Sequence, residues 1–223
     1  MAYKNRRKTN KVKGESIIVH TAPRSKISEQ YRSLRTNLQL SSSIHKSRTI
    51  VITSPRYGEG KSTITVNLAV SIAQKGEKVL VIDANLRTPT IHEMFGVENT
   101  IGLIDILNGK TTLEGAVKKT EMESLDVLTS GPVPFNPSEV LSSDAMDMLI
   151  QKALERYDII LFDSSPVLEV TDTSVLADKC EGVLLVIRYN HTVNEDALET
   201  KRALSFTKSR ILGAILNGKV SIT

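Results

Sequence analysis

Short apolar runs alternate along the chain with longer segments of mixed polarity. Six runs rich in Val, Ile and Leu predict strands at residues 50–53, 79–82, 125–129, 159–162, 183–187 and 211–216. Runs of this length are typical of strands buried on both faces. The segments 61–75, 138–156 and 192–207 are long enough for crossover helices. Repeated strand–helix–strand units predict an α/β fold of three layers, with a mostly parallel sheet between helices.

Residues 27–40, ahead of the first strand, have a helical period. The apolar face of this helix is predicted at Ile27, Tyr31, Leu34 and Leu38. Glu29, Arg32 and Arg35 follow one another at intervals of three. We expect these three side chains to lie off the apolar face, on a charged and solvated flank.

The 223 residues, 40% hydrophobic and 24% charged, fit one soluble domain. We predict a basic, flexible segment at 1–26 and a folded domain at 27–223. Six basic residues and no acid lie within residues 1–13, and subtracting them from the net charge of +4 leaves −2 for the remainder. Such a tail can attract anionic lipid, an acidic protein or nucleic acid without specificity, or simply be solvated. We therefore predict no specific nucleic-acid site.

The sequence carries no sign of export or of a membrane span. Cys180 is the single cysteine and cannot form a disulfide within the chain. No apolar run approaches the roughly 18 residues of a spanning helix, and the first residues lack the apolar core of a signal peptide. A cytoplasmic location is expected.

The segment 53–63 reads Thr-Ser-Pro-Arg-Tyr-Gly-Glu-Gly-Lys-Ser-Thr and lies between a predicted strand and a predicted helix. This context is typical of a phosphate-binding loop, in which glycines let backbone N–H groups surround phosphates. Lys61 would bridge the β- and γ-phosphates of ATP, and Ser62 would offer its hydroxyl to Mg²⁺. Pro55 replaces the first glycine of the full G-x-x-x-x-G-K-[ST] pattern. The predicted nucleotide-binding residues are Gly58, Glu59, Gly60, Lys61, Ser62 and Thr63.

Two acidic residues follow two further predicted strands. Asp83 comes directly after the strand at 79–82, and Asp163 after the strand at 159–162. In a parallel sheet both carboxylates emerge at the edge that holds the phosphate loop. Because Mg²⁺ prefers oxygen ligands, the two aspartates are predicted to bind the metal.

With these motifs, the chain resembles the cytoplasmic kinase component of the bacterial tyrosine kinases of capsule and exopolysaccharide systems. The resemblance covers residues from about 28 to 217. It rests on six segments: 29–37 (Glu-Gln-Tyr-Arg-Ser-Leu-Arg-Thr-Asn), 58–62 (Gly-Glu-Gly-Lys-Ser), 83–89 (Asp-Ala-Asn-Leu-Arg-Thr-Pro), 102–109 (Gly-Leu-Ile-Asp-Ile-Leu-Asn-Gly), 136–139 (Asn-Pro-Ser-Glu) and 163–166 (Asp-Ser-Ser-Pro).

The resemblance implies a role for each matching residue. Lys61 and Ser62 would form the Walker A site, and Asp163 would be the Walker B carboxylate. Asp83 would serve the metal or accept the proton of the substrate tyrosine. Asn217 would contact the adenine.

The resemblance also implies partners. Glu29, Arg32 and Arg35 match the motif through which family members assemble into rings. The kinase would be activated by the cytoplasmic tail of a membrane protein that regulates polysaccharide chain length, and so be recruited to the inner face of the membrane. Its substrates would be proteins phosphorylated on tyrosine.

Three departures from the family pattern matter. Asn85 replaces the second acid of an Asp-x-Asp motif, which removes a negative charge near Mg²⁺, so Asp at this position is expected to strengthen the metal site. Arg56 and Tyr57 occupy loop positions where the family has an apolar residue and proline. Arg56 also stands where partitioning ATPases carry an extra lysine that reaches a neighbour's phosphates.

The third departure is the lack of a tyrosine-rich tail. Of the five tyrosines, only Tyr3 and Tyr57 are expected to be accessible for weak autophosphorylation. Tyr31 and Tyr157 are predicted to be partly buried. Tyr189 follows a strand and is expected not to reach a neighbour's site.

Three functions remain open from sequence alone. The first is an ATP-dependent protein-tyrosine kinase, with ATP and Mg²⁺ as cofactors. The second is an ATPase switch of the partitioning type. The third is a nucleotide-binding scaffold with weak kinase activity, which Asn85 and the missing tail favour.

Overall fold

Seven strands form one sheet in the computed structural model, which describes residues 17–41 and 47–218. The strands are β1 (Thr49–Thr53), β2 (Val79–Asp83), β3 (Lys118–Lys119), β4 (Leu125–Leu128), β5 (Ile159–Asp163), β6 (Gly182–Arg188) and β7 (Arg210–Asn217). Their spatial order is β3-β4-β2-β5-β1-β6-β7, and all neighbours are parallel except β3 and β4. The mostly parallel sheet predicted from the sequence is confirmed.

Helices cover both faces of this sheet. They are α1 (Ile18–Thr21), α2 (Lys26–Ser41), α3 (Lys61–Ala73), α4 (Ile91–Phe95), α5 (Leu103–Leu107), α6 (Leu113–Ala116), α7 (Pro137–Ser142), α8 (Asp144–Leu154), α9 (Asp172–Lys179) and α10 (Asn194–Leu204). Along β1, Ile50 and Ile52 join the core under α1–α3, while Val51 joins the core on the other face. This alternation follows from the two-residue period of a strand and yields the three predicted layers. None of the helices in the described ranges is both long and apolar enough to span a membrane.

Two parts of the secondary structure differ from the sequence prediction. The single helix expected at 138–156 is wrong, because Ser143 has extended backbone angles (φ −63°, ψ 155°) and separates α7 from α8. The Ser143 hydroxyl bonds the carbonyl of Val140, which offers the backbone an alternative to a continuous helix. The strand β3 and the helices α4, α5 and α6 were missed, since two to five residues are too few to show a period.

The predicted boundary at residue 26 is also wrong for the described part of the segment. Residues from 17 onward pack on the domain, with Val19 fully buried and its backbone N–H donating to Asn67 Oδ1 at 3.0 Å. Asn67 lies on α3, so α1 is attached to the helix that follows the phosphate loop. Residues 1–16, which carry the basic cluster, lie outside the described residues.

The charged flank of α2 divides into an exposed and a buried part. Arg32 pairs with Glu29 at 2.7 Å on the exposed side. Arg35, in contrast, is 6% exposed and donates from Nη1 to the carbonyl oxygen of Ser71 on α3 at 2.6 Å. A spacing of three residues rotates each successive side chain by about 60° around a 3.6-residue helix, so two steps carry Arg35 to the packed face. The expectation of a solvated Arg35 is therefore wrong.

Substitutions at the two arginines should separate these environments. Arg35→Ala should lower the free energy of unfolding by about 2–3 kcal/mol, because it removes a buried charge-assisted hydrogen bond. Arg32→Ala, on the same helix, should change it by less than about 1 kcal/mol. Urea unfolding measures both, and similar losses in the two variants would contradict the intramolecular role of Arg35.

Candidate nucleotide and metal site

The loop that joins β1 to α3 has the shape of a phosphate cradle. Gly58 and Gly60 adopt positive φ angles of 78° and 94°, which favour glycine. A Cβ on Gly60 would lie 2.2 Å from Asn217 Nδ2, so a larger residue would displace that side chain and strain the backbone. Helix α3 begins at Lys61, with Ser62 and the exposed Thr63 in its first turn, and its backbone N–H groups face the loop.

The C-terminal half of the chain holds this loop in place. Asn217 Nδ2 donates to the carbonyl oxygen of Glu59 at 2.8 Å, and Arg188 Nη1 donates to that of Gly58 at 2.7 Å. Thr192 Oγ1 donates to the buried carboxylate of Glu59 at 2.6 Å. The sequence interpretation named Asn217 only for adenine, which stays a prediction, and it missed Arg188 and Thr192. No local signal marks those residues, since they lie about 130 positions from the loop.

Lys61 lies in a nearly closed environment. Its side chain is buried, and Nζ lies 5.9 Å from the centroid of the Tyr57 ring. Burial lowers the pKa of Lys61, while the carboxylates of Asp163 and Glu59 oppose that change. The lysine therefore presents a poorly hydrated charge toward the place where phosphates are expected.

Asp163, at the end of β5, is fully buried and bonded to the first turns of α3. Its Oδ2 accepts from Ser62 Oγ at 2.6 Å, and its Oδ1 accepts from Thr65 Oγ1 at 3.3 Å. Burial raises the pKa of Asp163 to about 6, against the opposing effects of the Ser62 hydrogen bond and the Lys61 charge. Thr65 was not predicted as a site residue.

Asp83 is the direct neighbour of Asp163 across the sheet, because β2 and β5 pair in the register Asp83↔Asp163. Its Oδ2 accepts the backbone N–H groups of Thr90 and Ile91, both at 3.0 Å. Burial and then the charge of Asp163 raise the pKa of Asp83 well above its ordinary value. The structure thus brings the two predicted acids together.

These groups fit a magnesium ion that is bound mainly through a nucleotide. The hydroxyl of Ser62 and the carboxylates of Asp83 and Asp163 are hard oxygen donors at one edge of the sheet. Within the described residues no cluster of three or more His, Cys, Asp or Glu side chains forms a metal site. Two carboxylates suffice for Mg²⁺ when phosphates and water complete the octahedron.

The side chain of Asn85 makes three hydrogen bonds. Its Oδ1 accepts from Ser165 Oγ at 3.1 Å and from Thr88 Oγ1 at 3.3 Å, and its Nδ2 donates to the carbonyl oxygen of Thr88 at 2.9 Å. The side chain joins the loop after β2 to the loop after β5 and needs both an acceptor and a donor. We therefore revise the expectation that an aspartate here would improve the site.

Two arginines near the loop are held by acids of the same chain. Arg56 binds both carboxylate oxygens of Asp196, at 2.5 and 3.0 Å, and reaches Glu169 at 3.2 Å. Arg87 forms a two-pronged bond with the buried Asp172, at 2.8 and 3.1 Å. Neither partner could be recognised from the sequence, because each lies 85 or more positions away.

Of the four tyrosines within the described residues, three agree with the predicted exposure. Tyr157 is buried, with its hydroxyl donating to Asp126 at 2.7 Å, and Tyr31 is partly buried with a pKa raised by burial to about 12. Tyr57 is 44% exposed, as expected, but Tyr189 is 45% exposed and equally accessible. Tyr3 lies outside the described residues.

The fold and the loop define the class of P-loop nucleotide-binding proteins. A family model described as an AAA domain matches residues 47–201. Tyrosine-protein kinase YwqD of Bacillus subtilis (strain 168) is 48% identical over 204 residues, which cover 92% of this chain and 86% of that protein. The kinase domain of Escherichia coli tyrosine kinase ETK superposes with a TM-score of 0.90 at 32% identity, covering 100% of this chain and 86% of that chain.

The chain belongs to the family of bacterial tyrosine-protein kinases. It spans 26% of the full tyrosine-protein kinase etk of E. coli (strain K12), to which it is 37% identical over 193 residues. The septum site-determining protein MinD of Pyrococcus horikoshii, solved with Mg-ADP, is more distant. Its TM-score is 0.66 at 30% identity, over 78% of this chain and 72% of that chain.

The hydrogen bonds of Asn85 generate a first prediction for this site. Asn85→Asp should leave the Mg²⁺ concentration for half-maximal ATP binding unchanged or raise it, because the new carboxylate cannot donate to the carbonyl of Thr88 and so loses a bond that orders the loop after Asp83. It should also lower the free energy of unfolding by about 1–3 kcal/mol. A lower Mg²⁺ concentration for half-maximal ATP binding in the variant would show instead that wild type lacks a metal ligand at position 85.

The raised pKa of Asp163 generates a second prediction. The ionised carboxylate is less favourable in the folded, nucleotide-free protein than in the unfolded chain. The free energy of unfolding therefore falls as pH rises from about 4 through about 6. Asp163→Asn removes this effect. The free energy of unfolding of the variant, measured against that of wild type, should therefore be higher at high pH than at low pH by up to about 3 kcal/mol. Urea unfolding without Mg²⁺ at about pH 4 and pH 8 measures this. The same difference at both values would contradict the buried-carboxylate account.

Proposed function

We propose that this protein is an ATP-dependent protein-tyrosine kinase of a capsule or exopolysaccharide system. The observation that carries the proposal is the pairing of Asp83 with Asp163 beside Lys61, at the end of a glycine loop. The names of the relatives, and their identity over nearly the whole chain, support the same activity.

Each group in the site has a part in holding the substrate ATP. The N–H groups of the loop and of the first turn of α3, with Lys61, would bind the β- and γ-phosphates. Ser62, Asp83 and Asp163 would hold Mg²⁺, which when bound supplies positive charge beside the phosphates. Asn217, already bonded to the loop, would also border the adenine.

In the proposed reaction a tyrosine phenol oxygen attacks the γ-phosphorus, the bond to the β–γ bridging oxygen breaks, and ADP leaves. Lys61 stabilises the charge that develops on the transferred group. Asp83 would either serve the metal or, with its carboxylate free of Mg²⁺, accept the phenolic proton. Its Oδ1 is the freer oxygen, because it accepts only the N–H of Asn85 at 3.3 Å.

An ATPase switch of the partitioning type is the second candidate, favoured by the likeness to MinD. Arg56 stands where such ATPases carry the lysine that reaches a neighbour. Here it is bonded to Asp196 and Glu169 of its own chain. This arrangement favours the kinase over the switch.

The proposal includes the partners that the family resemblance implies. The kinase would be recruited to the membrane and activated by the cytoplasmic tail of a polysaccharide chain-length regulator. Assembly into a ring would use the exposed pair Glu29 and Arg32, together with Arg35 of the same motif. Because Arg35 is bound to Ser71, its contribution would pass through the packing of α2 on α3.

A matched pair of lysine variants tests the proposed activity. Lys61→Met should weaken ATP binding about 10- to 100-fold, the loss expected for a buried charge-assisted contact, and abolish phosphotyrosine formation. Lys75→Met, an exposed lysine just beyond α3, should leave both unchanged. The measurements are calorimetric ATP binding and transfer from labelled ATP to a tyrosine peptide, with Mg²⁺ and the regulator's cytoplasmic tail.

The products separate the candidates. Phosphotyrosine that depends on Lys61 supports the kinase. Free phosphate without phosphotyrosine would point to the ATPase switch, and binding without turnover to a scaffold. Full activity of Lys61→Met would overturn the phosphate-loop assignment itself.

A further inference from the structure

Tyr57 is an exposed phenol inside the phosphate loop. Its ring lies 5.9 Å from Lys61 Nζ, within the range of a cation–π contact, and 44% of the residue remains accessible. It precedes Gly58, the first glycine of the cradle, by one position. A group attached to its oxygen would therefore be carried by the same loop that binds the nucleotide.

A second cation lies near this phenol. The pKa of Arg87 is raised, first by its hydrogen bonds to Asp172 and to a lesser degree by the electrostatic influence of Tyr57. The side chain of Arg87 is 38% exposed despite its bond to Asp172. Lys61 and Arg87 together make the surroundings of Tyr57 favourable to an anion.

We propose that Tyr57 is a phosphorylation site and that a phosphate on its oxygen closes the nucleotide site by competing with ATP for Lys61. This inference rests on the proposed kinase function. The phenol oxygen of Tyr57 attacks the γ-phosphorus of ATP bound in this or another copy, ADP leaves, and the phenolic proton passes to a carboxylate or to water. The product is a phosphotyrosine of charge about −1.5 to −2 at neutral pH.

The inhibitory direction follows from charge and space. ATP binding needs Lys61 and the N–H groups of a loop of seven residues, 54–60, that also carries Tyr57. A fixed phosphate would repel the triphosphate and would pair with Lys61 at a high local concentration. Phosphorylation of Tyr57 would thus reduce the affinity of the kinase for ATP.

Tyr189 provides a matched control. It is 45% exposed, almost the same fraction as Tyr57, and it follows β6. The ring–cation contact found within the described residues belongs to Tyr57 and Lys61, and Tyr189 takes no part in it. A phosphate on Tyr189 would not compete for the phosphate-loop lysine in this way.

The experiment uses wild type, Tyr57→Phe and Tyr189→Phe. Each is incubated with ATP, Mg²⁺, the regulator's tail and a separate tyrosine peptide, then freed of nucleotide. Mass spectrometry locates phosphate, and ATP affinity is measured before and after treatment with a tyrosine phosphatase. In wild type and in Tyr189→Phe we expect phosphate on Tyr57. Before phosphatase treatment the ATP affinity of both should be at least tenfold weaker than after it. Tyr57→Phe should show no phosphatase-sensitive change.

Two results would overturn the inference without touching the proposed function. One is a labelled peptide with no phosphate on Tyr57. The other is phosphate on Tyr57 with unchanged ATP affinity. A failure to label both the peptide and the protein would overturn the kinase proposal and this inference with it.

Discussion

Two buried carboxylates lie side by side at the centre of this protein because adjacent parallel strands end in register. The pairing of Asp83 with Asp163 places two negative groups in a region from which water is excluded. Desolvation favours the protonated form of both groups and raises both pKa values, and repulsion from the charge of Asp163 raises that of Asp83 further. The arrangement is poorly suited to an empty protein and well suited to one that binds a cation with phosphates. The geometry of the sheet thus determines the chemistry of the site.

The groups around this pair come from distant parts of the chain. Hydroxyls of α3 bond Asp163, the backbone at the start of α4 bonds Asp83, and Asn85 connects the two loops that follow the strands. On the other side, Asn217 fixes the glycine loop from the end of β7. A change in the packing of α2 or β7 would therefore reach the phosphate loop through rigid elements.

Local patterns in the sequence predicted six of the seven strands, the glycine loop and the position of both aspartates. Those features depend on residues close in sequence: apolar runs, glycines before a lysine, and an acid directly after a buried strand. Arg35 was misjudged because a three-residue spacing drifts around a helix, so a charge stripe does not stay on one face. Asn85 was interpreted as a lost carboxylate because its partners Ser165 and Thr88 are apparent only after folding. The bonds that Arg188 and Asp196 make with the phosphate loop, and that Asp172 makes with Arg87, have no local signature, since only the fold brings these residues together.

The most direct test of the central claim is the number of protons released when preformed Mg-ATP binds. Calorimetry near pH 6 in buffers of different ionisation enthalpy gives that number for wild type, Asp83→Asn and Asp163→Asn. If the carboxylate pair receives the cation, binding must ionise it. Wild type should then release a clear fraction of a proton, which decreases in each variant and vanishes at high pH. Binding without proton release in wild type would contradict the account.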